Sequence, residues 1–185
     1  MKIKPTSIKD LILINPKVHT DERGYFCEQF NKFNLKEYAD IDFNIAQINH
    51  SYSYSGVLRG IHYQKYPNCQ KKLIIVMRGT IYDVAVDLRK DSKTYKKYFG
   101  EILSETNNLQ MYIPEGFGHA FLTLSKEAHI VYAVDKPYSP KDEITLRYDD
   151  NLLNINWKEI HKKYIPNVKI KTSKKDSNPL EFKNF

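Results

Sequence analysis

Residues 73–88 read Leu-Ile-Ile-Val-Met-Arg-Gly-Thr-Ile-Tyr-Asp-Val-Ala-Val-Asp-Leu, and the reading of this stretch decides the fold class. Two apolar runs flank Arg78-Gly79-Thr80. The second alternates Tyr82, Val84, Val86 and Leu88 with Ile81, Asp83, Ala85 and Asp87. A side-chain period of two belongs to a strand, and the central glycine suits a turn, so the segment is predicted to be a β-hairpin.

The same pattern recurs on either side. LILINPKV reads as a strand ending near Pro16, and DERGYFCEQF as a turn followed by a pocket-facing strand with Tyr25 and Cys27 opposite Phe26 and Glu28. LQMYIP and HAFLTL read as a further strand pair around Glu115-Gly116-Phe117-Gly118, and HIVYAV runs up to the Pro137-Tyr138-Ser139-Pro140 turn. Strands are thus expected to dominate from about 44 to 148. NLKEYAD, with Asn34 three residues before Glu37, reads as a helix of about two turns, and WKEIHKKY as a second short helix. Many short strands punctuated by turn residues predict an all-β sandwich or jelly roll with a few short peripheral helices. No repeat or Gly/Ser linker divides residues 1–185, so a single domain is expected, its C-terminal segment from about 158 partly helical and basic.

Composition narrows the function classes. From Lys158 onward eight Lys face three acidic residues, so most of the +7 formal charge resides in that tail and no basic stripe follows a helix. Nucleic acid is therefore not an expected partner. The apolar run in the N-terminal LILI is far too short to span a bilayer, and Cys27 and Cys69 form neither a CxxC pair nor a disulfide framework. The expected compartment is the cytoplasm, with no membrane contact.

Six histidines occur, and two have distinctive neighbours. His62 lies in RGIHYQ three residues after Arg59, and His119 closes PEGFGH after a turn. The ordinary role of a lone strand histidine is a satisfied hydrogen bond. PEGFGH resembles the second half of a cupin metal motif, but the His-x-His with its companion Glu is missing, so no metal is expected.

Seven blocks, DERGYFCE, QINHSYS, GVLRGIHYQ, KKLIIVMRGTIYDVAVDLR, LQMYIPEGFGHAF, VYAVDKPYSP and SKKD, resemble in order and spacing the dTDP-4-dehydrorhamnose 3,5-epimerases across roughly residues 5 to 180. The resemblance implies a cupin-type jelly roll, a homodimer, a nucleotide-sugar substrate and rhamnose biosynthesis. The chemistry is consistent with residues alone. A C4 ketone acidifies the hydrogens at C3 and C5, so inversion requires no redox cofactor. It requires a base on one face, an acid on the other and a donor near O4.

By this resemblance His62 is the base, Asp176 its carboxylate partner, Tyr132 the acid and Lys72 the donor beside the enolate oxygen, a placement worth roughly 3 kcal/mol. Asp83 or Asp87 could orient His62 instead. Adjacent strand residues face opposite sides, so a register error of one would exchange Lys72 with Lys71. Arg59 and Arg23 look like diphosphate contacts. Gln47, Asn49, Glu28, His119, Tyr138 and Glu143 fall on positions lining the sugar or base pocket. Three departures stand out: Gly118-His119-Ala120 where the family has Ala-His-Gly, Lys71 where it often has Gly, and a lengthened segment before SKKD. Competing readings are an epimerase for another nucleotide-linked keto-sugar or for a single carbon, a non-catalytic sugar-binding jelly roll, and a metal-dependent cupin enzyme.

Overall fold

The computed structural model describes residues 1–176, 179 and 180; the rest of the basic tail lies outside the described residues. Thirteen strands and two short helices follow one another as β1 (Lys2–Pro5), β2 (Ile12–Asn15), β3 (Val18–Asp21), β4 (Gly24–Cys27), α1 (Lys32–Ala39), β5 (Gln47–Tyr54), β6 (Leu58–Gln64), β7 (Lys72–Arg78) and β8 (Thr80–Asp87). Then come β9 (Tyr98–Ser104), β10 (Gln110–Ile113), β11 (Phe117–Thr123), β12 (Glu127–Val134), β13 (Glu143–Thr145) and α2 (Trp157–Tyr164).

Two antiparallel sheets face each other, one ordered β1-β2-β10-β7-β12-β5 and the other β13-β6-β11-β8-β9, while β3 and β4 form a separate ribbon. This is the expected jelly-roll architecture. The central motif corrects the hairpin expectation: β7 pairs with β10 and β12, whereas β8 pairs with β9 and β11. Gly79, at φ +84°, turns the chain from one sheet into the other. An added Cβ would lie 2.1 Å from the Glu127 carbonyl oxygen. The second predicted pair, β10 and β11, likewise divides between the sheets. Sequence alternation identifies strands but carries no information about which strand is the partner.

The burial of β8 explains its near-continuous apolar run. Its Ile81 and Ala85 enter the core between the sheets with Ile74, Met111, Phe117 and Ile130. Its Tyr82, Val84 and Val86 face outward and are covered by Leu146, Leu153, Trp157 and Ile165, so α2 and its approach roof the five-stranded sheet. Leu35 of α1 and Phe43 do the same for part of the six-stranded sheet, packing on Ile12, Ile14, Leu73 and Ile75. A strand buried on both faces is apolar on both except where a buried polar group finds a partner, as Asp83 and Asp87 of β8 do. The helix itself starts earlier than predicted, because Asn31 rather than Asn34 caps it, accepting from the Phe33 and Asn34 amides. The ribbon β3–β4 is exposed through most of its length, and residues 24–27 lie outside the space between the two sheets; Phe26 instead borders a separate pocket beside α1.

Candidate active site

Between the sheets the apolar core gives way to a polar cavity of about 340 Å³. Gln47, Asn49, Lys72, Tyr132 and Val134 line it from the six-stranded sheet, and Arg59, His62, Gln64, His119 and Phe121 from the other, with Gln70, Tyr138 and Glu143 at its border. Strand alternation explains most of this set. Along β7 the inward series is Val76, Ile74 and then Lys72, and along β12 it is Ala128, Ile130 and then Tyr132. Lys71 is thereby directed outward, where its Nζ reaches the Asp42 carbonyl oxygen at 3.3 Å. The structure decides the register in favour of Lys72 as the inward lysine.

Arg59 and His62 are an odd number of residues apart and should face opposite sides of a regular strand. They share the cavity because β6 carries a bulge: His62 stands opposite His119, but Arg59 stands opposite Phe121, three residues against two. Gly60, at φ +108°, occupies the bulge, where a Cβ would meet the His119 carbonyl oxygen at 2.4 Å.

His62 Nε2 lies 2.7 Å from Asp176 Oδ1. Asp176 is buried and also accepts from Ser173 Oγ at 2.9 Å and from the Gly60 amide. Burial raises its pKa, but the contacts with His62, Ser173 and Gly60 outweigh this and hold the carboxyl below its ordinary value. The lengthened segment before SKKD therefore still delivers the carboxylate. The alternative partners are engaged elsewhere: Asp83 binds His119 Nε2 at 2.7 Å, and Asp87 binds Arg89, Ser92 and Thr94. His119 remains at the cavity wall despite its altered flanking residues. Asp83 Oδ2 is buried without a hydrogen-bond partner among the described residues.

Tyr132 presents its hydroxyl 2.8 Å from Ser51 Oγ, and burial raises its pKa, keeping the phenol protonated. Burial pushes the Lys72 ammonium down to about 8, against the opposing influence of Glu143 and Asp135. Arg59 is fixed through Ser53 Oγ at 3.0 Å and the Tyr52 carbonyl at 3.2 Å. At the mouth Gln47 donates to Asn49 at 2.6 Å and accepts the Tyr138 amide at 2.9 Å, while Tyr138 donates to Glu143 at 2.5 Å.

Arg23 and Glu28 are not in this cavity. Arg23 lies on the exposed ribbon and pairs with Asp21, and Glu28 accepts from Asn31 and Asn34 beside α1. The structure also adds residues that the motif reading passed over. Lys175 pairs with Glu143 and lies 6.0 Å from the Tyr138 ring, and Gln70 bonds Lys72. Gln70 was detectable in principle, since it precedes Lys72 by two in an extended run. Lys175 was not, because its position depends on how the C-terminal segment crosses the barrel. Among the described residues no group of three or more His, Cys, Asp or Glu is arranged to hold a metal ion.

The comparisons with known proteins agree with this geometry. Residues 5–184 match the family model described as dTDP-4-dehydrorhamnose 3,5-epimerase. A relative of that description from Shigella flexneri is 44% identical over 157 residues, covering 85% of this chain and 87% of its own. The crystal structure of dTDP-4-dehydrorhamnose 3,5-epimerase from Elizabethkingia anophelis NUHP1 superposes with a TM-score of 0.91 at 41% identity, covering 100% of this chain and 97% of that one. The Legionella pneumophila dTDP-6-deoxy-D-glucose-3,5-epimerase, solved in complex with dTDP-4-keto-L-rhamnose, gives a TM-score of 0.90 at 37% identity, with coverages of 100% and 93%. A jelly roll whose sheets enclose a histidine, a phenol and a lysine, matched by the family over nearly its whole length, is an isomerase, and the chain belongs to the dTDP-4-dehydrorhamnose 3,5-epimerase family.

Proposed function

We propose that the chain converts dTDP-4-dehydro-6-deoxyglucose into dTDP-4-dehydrorhamnose without a cofactor, by proton abstraction next to the C4 ketone. The observation that carries this reading is the meeting of His62 and Tyr132 in one cavity from opposing sheets, with Lys72 beside them. His62 removes the proton at C3 or C5. Asp176, bonded to its Nε2, fixes the tautomer and balances the charge of the imidazolium, leaving Nδ1 as the atom that takes the proton. The electron pair moves through the enolate to O4, where the Lys72 ammonium receives the charge. Tyr132 then protonates the carbon from the other face.

Arg59 suits the diphosphate, and Gln47, Asn49, His119, Tyr138 and Glu143 suit the sugar and base, with Lys175 closing the mouth through Glu143. Arg23 and Glu28 reach a substrate only from a second copy. The exposed Tyr25 and Phe26 on the ribbon and the exposed Ile48, Tyr52 and Tyr54 on the edge strand β5 support a homodimer in which each ribbon reaches the neighbouring cavity. No helix among the described residues is long and apolar enough to cross a membrane. The free Cys27 and Cys69 suit a reducing compartment such as the cytoplasm.

The test is solvent exchange. Incubated with dTDP-4-dehydro-6-deoxyglucose in deuterium oxide, the protein is expected to place deuterium at C3 and C5 and to release the inverted sugar. Both carbons remaining protiated in the presence of wild-type protein overturns the reading, and labelling at one carbon alone replaces it with a single-carbon epimerase.

A further inference from the structure

Gln70 stands two residues before Lys72, is buried, and lines the same cavity. Its amide makes two bonds that fix its orientation: Nε2 donates to the Lys136 carbonyl at 2.8 Å, and Oε1 accepts from Lys72 Nζ at 2.7 Å. A flipped amide would set oxygen against the Lys136 carbonyl and NH₂ against the ammonium. Both contacts would be repulsive, so Gln70 is an oriented acceptor.

The chemistry of this contact matters because Lys72 is needed for its charge. An ammonium has three donors. One is taken by Gln70, and two remain for the cavity. Glu143 and Asp135 are the carboxylates close enough to influence Lys72, and each is engaged elsewhere. Glu143 is held by Tyr138 and Lys175, while Asp135 accepts the Lys71 amide at 2.7 Å. Arg59, His62, Tyr63, His119, Tyr132 and Tyr138 complete the ionisable lining of the same cavity. The group that touches the ammonium is therefore a neutral one. A carboxylate in its place would hold Lys72 equally well but would neutralise it before an enolate formed.

We propose that Gln70 is a positioning residue for the epimerisation: its amide, locked by the Lys136 carbonyl, fixes the Lys72 ammonium at the cavity wall through a bond that leaves the positive charge free for the enolate oxygen. This rests on the role proposed above for Lys72. The bond also favours the protonated form of a lysine that burial depresses to about 8, which provides a readout that a purely structural residue would not move.

The experiment compares Gln70→Met and Gln70→Glu with wild-type protein, measuring kcat, KM and the pH dependence of deuterium incorporation from dTDP-4-dehydro-6-deoxyglucose. Gln70→Met, similar in size but without the acceptor, is expected to lower kcat about tenfold with KM within about twofold, because the loss is in orientation of the charge in the transition state. Its alkaline limb moves to lower pH. Gln70→Glu moves the limb to higher pH while also lowering kcat, and it keeps the size and the bond to Lys72, so it gives a reading even if the Met variant fails to fold. In a Lys72→Met background the Gln70→Met change has no further effect on kcat. Limbs unmoved in both variants overturn this inference and leave the proposed function standing, whereas wild-type protein without exchange removes the proposed function itself.

Discussion

The molecule contains two histidine–aspartate pairs whose histidines stand directly opposite each other on neighbouring strands, His62 on β6 and His119 on β11. Each ring offers Nε2 to a buried carboxylate at 2.7 Å. They differ in setting. The His62 side chain is 33% exposed and its Asp176 comes from 114 residues away in sequence, on a segment outside the sheets. The His119 side chain is 7% exposed and its Asp83 is fully buried within the same sheet. The base of the proposed reaction must exchange protons with solvent between turnovers, and the first pair has the access for that. The second is built as a fixed wall whose partner is part of the core. Two similar hydrogen bonds thus differ in burial and tethering, which suits them to different work.

The sharpest way to break this contrast is to remove each ring. His62→Asn is expected to reduce deuterium incorporation by about 10³-fold or more, the upper range for a general base. His119→Asn is expected to act mainly through KM; equal losses of kcat in the two variants would erase the distinction. Tyr132→Phe tests the opposite face. Washing of deuterium into recovered substrate should continue on the His62 side, while inverted product falls by about 10²-fold or more. NMR of both sugars separates these outcomes.

The carboxylates give the next contrast. Asp176→Asn is expected to lower kcat by about 10²-fold, since it removes the partner of the imidazolium, with a modest loss of Tm from the weakened bonds to Ser173 and the Gly60 amide. Asp83→Asn acts on the core and is expected to cost about 1–3 kcal/mol of stability, with the smaller effect on kcat. A thermal melt and a rate measured on the same samples decide between them. Lys72 adds a pH dependence: with its pKa depressed to about 8, the charged form is lost as pH rises through that value, so exchange should fall on the alkaline side, with the limb absent in Lys72→Met.

Asp87 is the control, a buried carboxylate outside the cavity lining. It accepts from Arg89 Nε at 2.9 Å, Ser92 Oγ at 2.6 Å and Thr94 Oγ1 at 2.6 Å. Burial alone would raise its pKa, but these bonds lower it to about 2. A depressed carboxylate contributes stability that is complete above its unfolded value near 4 and lost as pH falls through 2. The shift corresponds to about 2 kcal/mol, which acid titration of Tm should show disappearing in Asp87→Asn.

Much of the site was legible because seven blocks resemble one family in order and spacing, and strand alternation, a local property, then says which residues share a face. Tyr132 shares a face with Val134, and Lys72 with Ile74, whatever their partners are. The choice of Lys72 over Lys71 needed the register of β7. The shared face of Arg59 and His62, expected from their closeness in sequence, depends on a bulge, because a spacing of three would separate them on a regular strand. The resemblance named Asp176 as the partner of His62 but left Asp83 and Asp87 open, because all three aspartates occur in plausible local settings; the fold closes that choice by giving Asp83 to His119, a pairing that nothing along the chain announces.

By itself the sequence determined the all-β class and the strands, since side-chain period and turn chemistry act within a few residues, and the resemblance of its blocks to one family supplied the candidate residues of the cavity. The tertiary structure alone decided that residues 73–88 bridge two sheets, that Asp176 rather than Asp83 or Asp87 meets His62, and that Arg23 and Glu28 lie outside their own chain's cavity. Those outcomes depend on long-range pairing, where burial of both faces and the satisfaction of buried charges select among alternatives that look alike along the chain.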